Sequence, residues 1–223
     1  VMKRARWGMP REALDAVLGW GCKPSAERAQ KWATALGLPL VRMEDGFLRS
    51  FGTGEHFPPL SLVFDPEGIY YDCTRASALE TLLNSNVDVL GADSALAARA
   101  REVLLQLRLS KYNHAPDWAL PASTSSARMD SERVLVIDQT AGDLSVALGG
   151  ANATTFAAML AAARAENPQA TIYVKTHPEV TSGRKGGYLT QVQDGVAASG
   201  QRTVVLRQAI NPLSLIERMD RVY

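Results

Sequence analysis

Two short apolar runs, Arg133-Val134-Leu135-Val136-Ile137 and Ala170-Thr171-Ile172-Tyr173-Val174, flank the alanine-rich stretch from Ala153 to Glu166. Neither run alternates apolar with polar residues, so each reads as a strand buried on both faces, as in a parallel sheet. Parallel neighbours need a crossover, and the intervening stretch has the length and composition of a helix, closed by Asn167-Pro168. The pattern confines the chain to the α/β class. A similar unit comes earlier. Ala16 to Gly21 is apolar, Ser25 reads as the N-cap of a helix with Ala26, Ala29, Trp32, Ala33 and Leu36 at helical spacing, and Gly37 ends it. Leu38 to Met43 is then the next strand. The expected fold is two Rossmann-like α/β units, the second incomplete. The expected division is 1–120 for the first domain, a linker at 121–132 and 133–223 for the second, because residues 116–128 are rich in Ala, Pro and Ser without periodicity.

Smaller elements fill in the plan. Pro10 to Leu18 has the pattern of a short amphipathic helix, and Leu60 to Phe64 reads as a strand that pairs in a hairpin with Ile69 to Cys73 across Asp65-Pro66-Glu67-Gly68. Ser77 caps a helix through Leu83, and a longer helix runs from Asp93 to Leu107 with Ala97, Ala100, Val103, Leu104 and Leu107 on one side. A strand is expected at Thr203 to Leu206, a helix at Pro212 to Arg218, and the start of a further strand at Arg221 to Tyr223.

Composition excludes several classes of function. A formal net charge of +1 supplies no basic field for nucleic acid. Two cysteines, Cys22 and Cys73, make neither a disulfide framework nor a Cys-rich zinc site, which fits a reducing compartment. No apolar run reaches the roughly 18 residues of a membrane span, and Val1-Met2-Lys3-Arg4 is not followed by the apolar core of a signal peptide. A first residue other than Met and a last strand just begun lead to the expectation that the chain is a piece of a longer protein.

Three titratable sets stand directly after apolar strands: Glu44 with Asp45, Asp138 with Asp143, and Lys175 with His177. Open α/β sheets place ligand contacts at such strand ends, and a cleft between two such sheets would bring the sets face to face. Pro178 fixes the backbone after His177, so Lys175 and His177 suit an anion or nucleotide, against the simpler reading of a hydrogen-bonded histidine at a strand end. His56 and His114 lie in loops and read as surface residues. Metal-ligand spacings, a P-loop, GxSxG and a strand-anchored GxGxxG are all missing, so no protein-held metal is expected. The stretch Gly183-Arg184-Lys185-Gly186-Gly187 reads as a flexible loop rather than a phosphate cradle. Carboxylates on separate loops suit glycosyl chemistry, one as nucleophile and one exchanging protons, and Asp143 and Glu44 are of the right type for those roles.

Longer motifs sharpen this. Glu44-Asp45-Gly46-Phe47-Leu48-Arg49-Ser50, Pro59-Leu60-Ser61-Leu62-Val63, Gly68-Ile69-Tyr70-Tyr71-Asp72 and Ser110-Lys111-Tyr112-Asn113 resemble the KpsC/LpsZ family of capsular polysaccharide β-Kdo glycosyltransferases, N-terminal-type module. Asp138-Gln139-Thr140 with Asp143, and Lys175-Thr176-His177-Pro178, match in the same order. The resemblance implies a GT-B-like arrangement and transfer of β-Kdo, with retention, from CMP-Kdo to a phosphatidylglycerol-linked Kdo primer. It makes Asp143 of the family's Gln-x-x-x-Asp (Gln139 to Asp143) the nucleophile and Glu44 the acid/base, with Asp45 supporting or replacing it. It also puts His177 and Pro178 on the cytidylate and Lys175 on a phosphate or carboxylate, and counts Gln139 and Arg49 among the substrate contacts. No cofactor or metal is implied. The implied partners are CMP-Kdo, the lipid-linked Kdo acceptor and capsule biosynthesis and export proteins, in the cytoplasm at the periphery of the inner membrane. Two departures stand out. The family's N-terminal strand is absent or altered, and the chain stops where the family continues into a Thr/Ser-rich turn and a Gly-Phe-Glu-Ala-Leu-Leu helix. The 223-residue piece alone is therefore expected to bind CMP weakly and turn over little. The competing readings are a non-catalytic GT-B-like module that binds glycolipid or an assembly partner, and another GT-B enzyme such as a nucleotide-sugar epimerase.

Overall fold

The computed structural model describes residues 14–54, 56–119 and 131–223. It is mixed α/β with two sheets. Residues 14–49 with 59–91 form one compact unit, and Ser50–Pro58 with Ala92–Tyr223 the other.

The first unit holds a three-stranded sheet of order β1-β2-β3, with β1 at Val17–Trp20, β2 at Leu40–Asp45 and β3 at Leu62–Asp65. Strands β1 and β2 run parallel, joined by helix α1, Pro24–Leu36. Lys23, not the expected Ser25, is the N-cap: Pro24 has no N–H to satisfy and its fixed φ suits the first helical position, so the helix starts two residues earlier. Gly37 closes α1 in the left-handed region at φ 60°, as expected. Helix α1 approaches β1 so closely that a Cβ on Gly19 would stand 3.3 Å from the Ala29 Cβ. This is why the strand carries glycine there.

The expected hairpin does not form. Strand β3 pairs antiparallel with β2, not with 69–73. The cause lies in two aspartates. Asp65, 3% exposed, turns its carboxylate onto the backbone N–H groups of Glu67, Gly68 and Ala78, and Asp72 takes the N–H and hydroxyl of Thr74. These local acceptors hold the segment in turns, with Ile69 fully buried beneath them. Strand β2 is half-buried along its whole length instead of enclosed on both faces. Ser77 caps helix α2, Ala78–Leu83, by accepting from the Glu80 N–H, as expected. Of the helix expected from Pro10 to Leu18, residues 10–13 lie outside the described residues, and the rest is not helical: Val17 and Leu18 open β1, because they pair with Leu40 and Val41.

In the second unit, helix α3 spans Ser94–Gln106 and buries no residue; of its expected stripe, Leu107 is 62% exposed. Strand β4 (Arg133–Ile137), helices α4 (Leu144–Leu148) and α5 (Ala153–Glu166), and strand β5 (Thr171–Lys175) follow. Then come α6 (Pro178–Thr181), β6 (Gly195–Val196), β7 (Arg202–Leu206), α7 (Pro212–Ile216) and β8 (Arg221–Val222). The sheet order is β6-β7-β5-β4-β8, with β7, β5, β4 and β8 parallel. In chain order the parallel strands step outward from β4 to β7 and then return to the other side of β4. That reversal is the topological switch of a Rossmann-type sheet, and the crevice beyond the carboxyl ends of such strands is where ligands bind. The loop that leaves β4 is 138–143. Val134, Val136, Ile172 and Val174 are at most 1% exposed beneath α5, each side chain contributing about 1.5–3 kcal/mol.

The chain just before residue 120 packs on the second sheet. Trp118 is 4% exposed in the cluster of Leu135, Tyr173, Leu206, Ile210 and Leu215, and its N–H donates to the Ser214 hydroxyl. Arg108 pairs with Asp117 and Glu217. The expected linker, 121–132, lies outside the described residues except for its last two positions.

Candidate functional site

Glu44 and Asp45 are the last two residues of β2, opposite Val63 and Leu62 of β3. Adjacent strand residues face opposite ways, and the two carboxylates meet different fates. Arg49 Nε donates to Asp45 Oδ2 at 2.7 Å, and both side chains are about five-sixths buried, at 16% and 15% exposure. Asp45 and Arg49, both counted among the site residues, thus pair through Oδ2, while Asp45 Oδ1 is buried without a hydrogen-bond partner among the described residues. Glu44 Oε1 accepts from Trp20 Nε1 at 2.9 Å and from the Asp45 N–H at 3.1 Å. Among the described residues its Oε2 has only a long contact of 3.5 Å from the Tyr71 hydroxyl. Gly21 ends the parallel ladder at φ 49°, and a Cβ there would lie 2.4 Å from the Tyr71 oxygen and 2.7 Å from Glu44 Oε2. Glycine at this turn therefore leaves room for the pair.

In the second unit the two strand-end loops are tied together. The Asp138 N–H donates to the Lys175 carbonyl at 3.0 Å. Asp138, 2% exposed, turns its side chain back on the chain: Oδ1 accepts from the N–H groups of Gln139, Tyr188 and Leu189. It is a structural acceptor, so of the carboxylates after β4 only Asp143 is left to act on a ligand. Asp143 is the N-cap of α4. Its Oδ1 accepts from the Ser145 N–H at 2.9 Å and hydroxyl at 2.8 Å, while Oδ2 meets the Thr140 hydroxyl at 3.5 Å. Burial pushes this carboxyl up, but the bonds from Ser145, the charge of Lys185 and the Thr140 hydroxyl together hold it below the usual carboxylate range. It is charged at neutral pH, with Oδ2 only lightly occupied.

Lys175 is the last residue of β5, and burial pushes its ammonium down to about 8. His177 is the N-cap of α6, and its Nδ1 accepts from the Glu179 N–H at 3.2 Å, which assigns the ring proton to Nε2. Burial holds this imidazole below its ordinary value, so at neutral pH it is an uncharged donor. Pro178 starts α6, and Gln139 lies half-buried in the loop after β4.

The glycine-rich stretch is not the loose loop expected. The Ala141 N–H donates to the Gly186 carbonyl, Thr140 bridges Gly187, and Lys185 Nζ sits 2.8 Å from Glu179 Oε2. Tyr188 stacks on Phe156 at 4.5 Å between ring centres. Lys185 is therefore held where its charge acts on both Asp143 and His177. The sequence reading missed it, as it missed Trp20, Tyr71 and Ser145. For Lys185 the signal was the run of tight-turn glycines around a cation. The unit thus gathers one charged carboxylate, one neutral imidazole donor and two lysines at the carboxyl edge of a Rossmann-type sheet. Such a set has the charge and donors that suit an anionic ligand. Among the described residues no group of three or more His, Cys, Asp or Glu side chains is gathered for a metal ion. No helix of the described residues is long and apolar enough to cross a membrane.

Comparison with known proteins agrees with the motifs. The chain is 46% identical over 213 residues to the capsule polysaccharide modification protein LipA of Neisseria meningitidis serogroup A, covering 95% of this chain and 29% of LipA. It is 38% identical over 175 residues to the lipopolysaccharide-processing protein LpsZ of Rhizobium meliloti, covering 77% of this chain and 38% of LpsZ. The chain thus spans less than two fifths of the length of these relatives. Among solved structures, the Thermosulfurimonas dismutans KpsC beta Kdo 2,4 transferase matches with TM-score 0.80 and 45% identity over 95% of this chain and 63% of that one. The beta Kdo 2,7 transferase of the same KpsC matches with TM-score 0.50 and 27% identity over 92% of this chain and 52% of that one. The family model described as capsule polysaccharide biosynthesis protein matches residues 15–223. The chain belongs to the capsule polysaccharide biosynthesis protein family, and its fold is of the KpsC type.

Proposed function

We propose that this chain is the catalytic module of a retaining β-Kdo transferase that uses CMP-Kdo to extend a lipid-linked Kdo primer for capsule. The observation that carries this reading is Asp143: a carboxylate kept charged by Ser145 and Lys185, at the switch-point loop of the second sheet, beside a neutral His177. In the first displacement an Asp143 oxygen bonds to the anomeric carbon and the bond to the cytidylate oxygen breaks, CMP leaving with the electron pair. In the second, the acceptor hydroxyl oxygen bonds to that carbon, the ester to Asp143 breaks with its pair returning to the carboxylate, and the acceptor proton passes to Glu44. Two inversions leave the configuration retained. His177 donates through Nε2 to the cytidylate, and Lys175 and Lys185 face the phosphate and the sugar carboxylate. The greater likeness to the 2,4 transferase than to the 2,7 transferase supports a 2,4 linkage. Work at the cytoplasmic face of the inner membrane, with capsule export proteins downstream, follows from the acceptor.

Two measurements bear on this. Full-length protein given CMP-Kdo and a synthetic Kdo-primer acceptor is expected to yield a β-2,4-linked product by NMR; an α-linked product would end the retaining reading. The second uses pH. Lys175 is charged below about 8 and neutral above it, so the affinity for CMP-Kdo is expected to fall as pH rises through that value. The slope should approach tenfold per pH unit, since an anion recruits the charged form. Lys175→Met should bind more weakly and lose that slope; a slope unchanged in the variant would take Lys175 off the anion.

A further inference from the structure

We propose that Trp20 and Tyr71 are positioning residues for Glu44, which they orient so that Oε2 is the oxygen that takes the acceptor proton. This rests on the reading of Glu44 as the acid/base. The two oxygens of the carboxylate are unlike. Oε1 is filled by two N–H donors, the Trp20 indole at 2.9 Å and the Asp45 amide at 3.1 Å. Both are good hydrogen bonds, and with two donors in place this oxygen is poorly placed to take a third proton. Among the described residues Oε2 has one hydrogen-bond partner, the Tyr71 hydroxyl, at 3.5 Å, a contact long enough to be displaced by an incoming hydroxyl.

The Tyr71 oxygen is itself held, by the Cys22 N–H at 3.2 Å. Burial pushes the phenol well above its ordinary value, with the Glu44 charge a smaller cause in the same direction, so it stays a protonated donor. Tyr70 packs edge-on against the Tyr71 ring at 5.3 Å. Lys23 Nζ lies 6.0 Å from the Trp20 ring centre, and Trp20 ends β1 directly beside Met43 of β2. Gly21, between Trp20 and Cys22, supplies the space: any side chain there meets both Tyr71 and Oε2. Indole, phenol, amide and glycine thus form a cradle built from β1, β2 and the turns after β3, with one carboxylate oxygen left open. Asp45 differs in that its Oδ2 is taken by Arg49.

The test is a double-mutant cycle in the full-length protein, with kcat and donor KM read in single-turnover and steady-state assays. Trp20→Phe and Tyr71→Phe each remove one donor and keep the ring. Trp20→Phe is expected to lower kcat about tenfold, the size of a hydrogen bond to a charged group, and Tyr71→Phe by less, since its contact is long, with donor KM within about twofold in both. Placed on Glu44→Gln, whose residual rate no longer depends on that proton transfer, the same changes should cost less than about twofold. Losses equal in both backgrounds would mark Trp20 and Tyr71 as merely structural, and wild-type kcat in both single variants would remove them from the reaction; either result overturns the inference. Full activity of Glu44→Gln itself would instead overturn the assignment of Glu44. Gly21→Ala gives an independent reading. It should lower kcat at least as far as Tyr71→Phe while the Lys175-dependent binding of CMP persists, and normal kcat would deny the cradle.

Discussion

Replacing Asp143 by asparagine is expected to lower transfer on the order of 10³-fold or more while the protein stays folded, because the carboxylate and not the cap carries the reaction. The distinction matters at this position. Asp143 caps α4 through the Ser145 N–H, so Asp143→Ala removes a cap worth about 1 kcal/mol along with the nucleophile. Asparagine keeps an oxygen for that N–H and removes only the nucleophilic charge. Both variants should lose turnover, and asparagine should keep near-native stability. Glutamine in place of His177 should weaken CMP-Kdo binding without matching this loss. An Asp143→Asn protein that turns over at the wild-type rate would leave Asp143 as a cap and nothing more.

The second large effect is on stability. Asp138→Ala is expected to cost about 3–5 kcal/mol, since it strands the N–H groups of Gln139, Tyr188 and Leu189 in a site that is 2% exposed. Asp138→Asn retains an acceptor and should cost roughly half as much or less. Chemical denaturation measures both. The same bonds hold the loop that carries Lys185, so Asp138→Ala should also weaken binding of the anionic donor. A loss below about 1 kcal/mol in Asp138→Ala would mean that the three N–H groups find other partners.

What the sequence disclosed follows from the range of the forces involved. The runs 133–137 and 170–174 were legible because a strand buried on both faces has to be apolar throughout, and the observed strands match within one residue. Gly37 and Ser77 were legible because caps act over three or four residues. The partner of β3 was not. Apolar residues at 69–71 suit a strand, but Asp65 and Asp72 capture the local backbone, and only coordinates reveal which donors they take. Nor was the packing of the segment just before 120, because it depends on Trp118 finding Tyr173 and Leu135 across the chain. The titratable sets at strand ends were legible by position. Their division of labour was not: Asp138 turns inward, Asp45 closes on Arg49, and Glu44 and Asp143 keep one oxygen each lightly held.

The central claim is a covalent intermediate on Asp143. Full-length protein mixed with CMP-Kdo in the absence of acceptor, quenched in acid, digested and analysed by peptide mass spectrometry tests it most directly. A Kdo unit esterified to Asp143 is expected, released when acceptor is added before the quench. A Kdo ester on Glu44 or Asp45 instead, or β-linked product formed at full rate by Asp143→Asn, would contradict it.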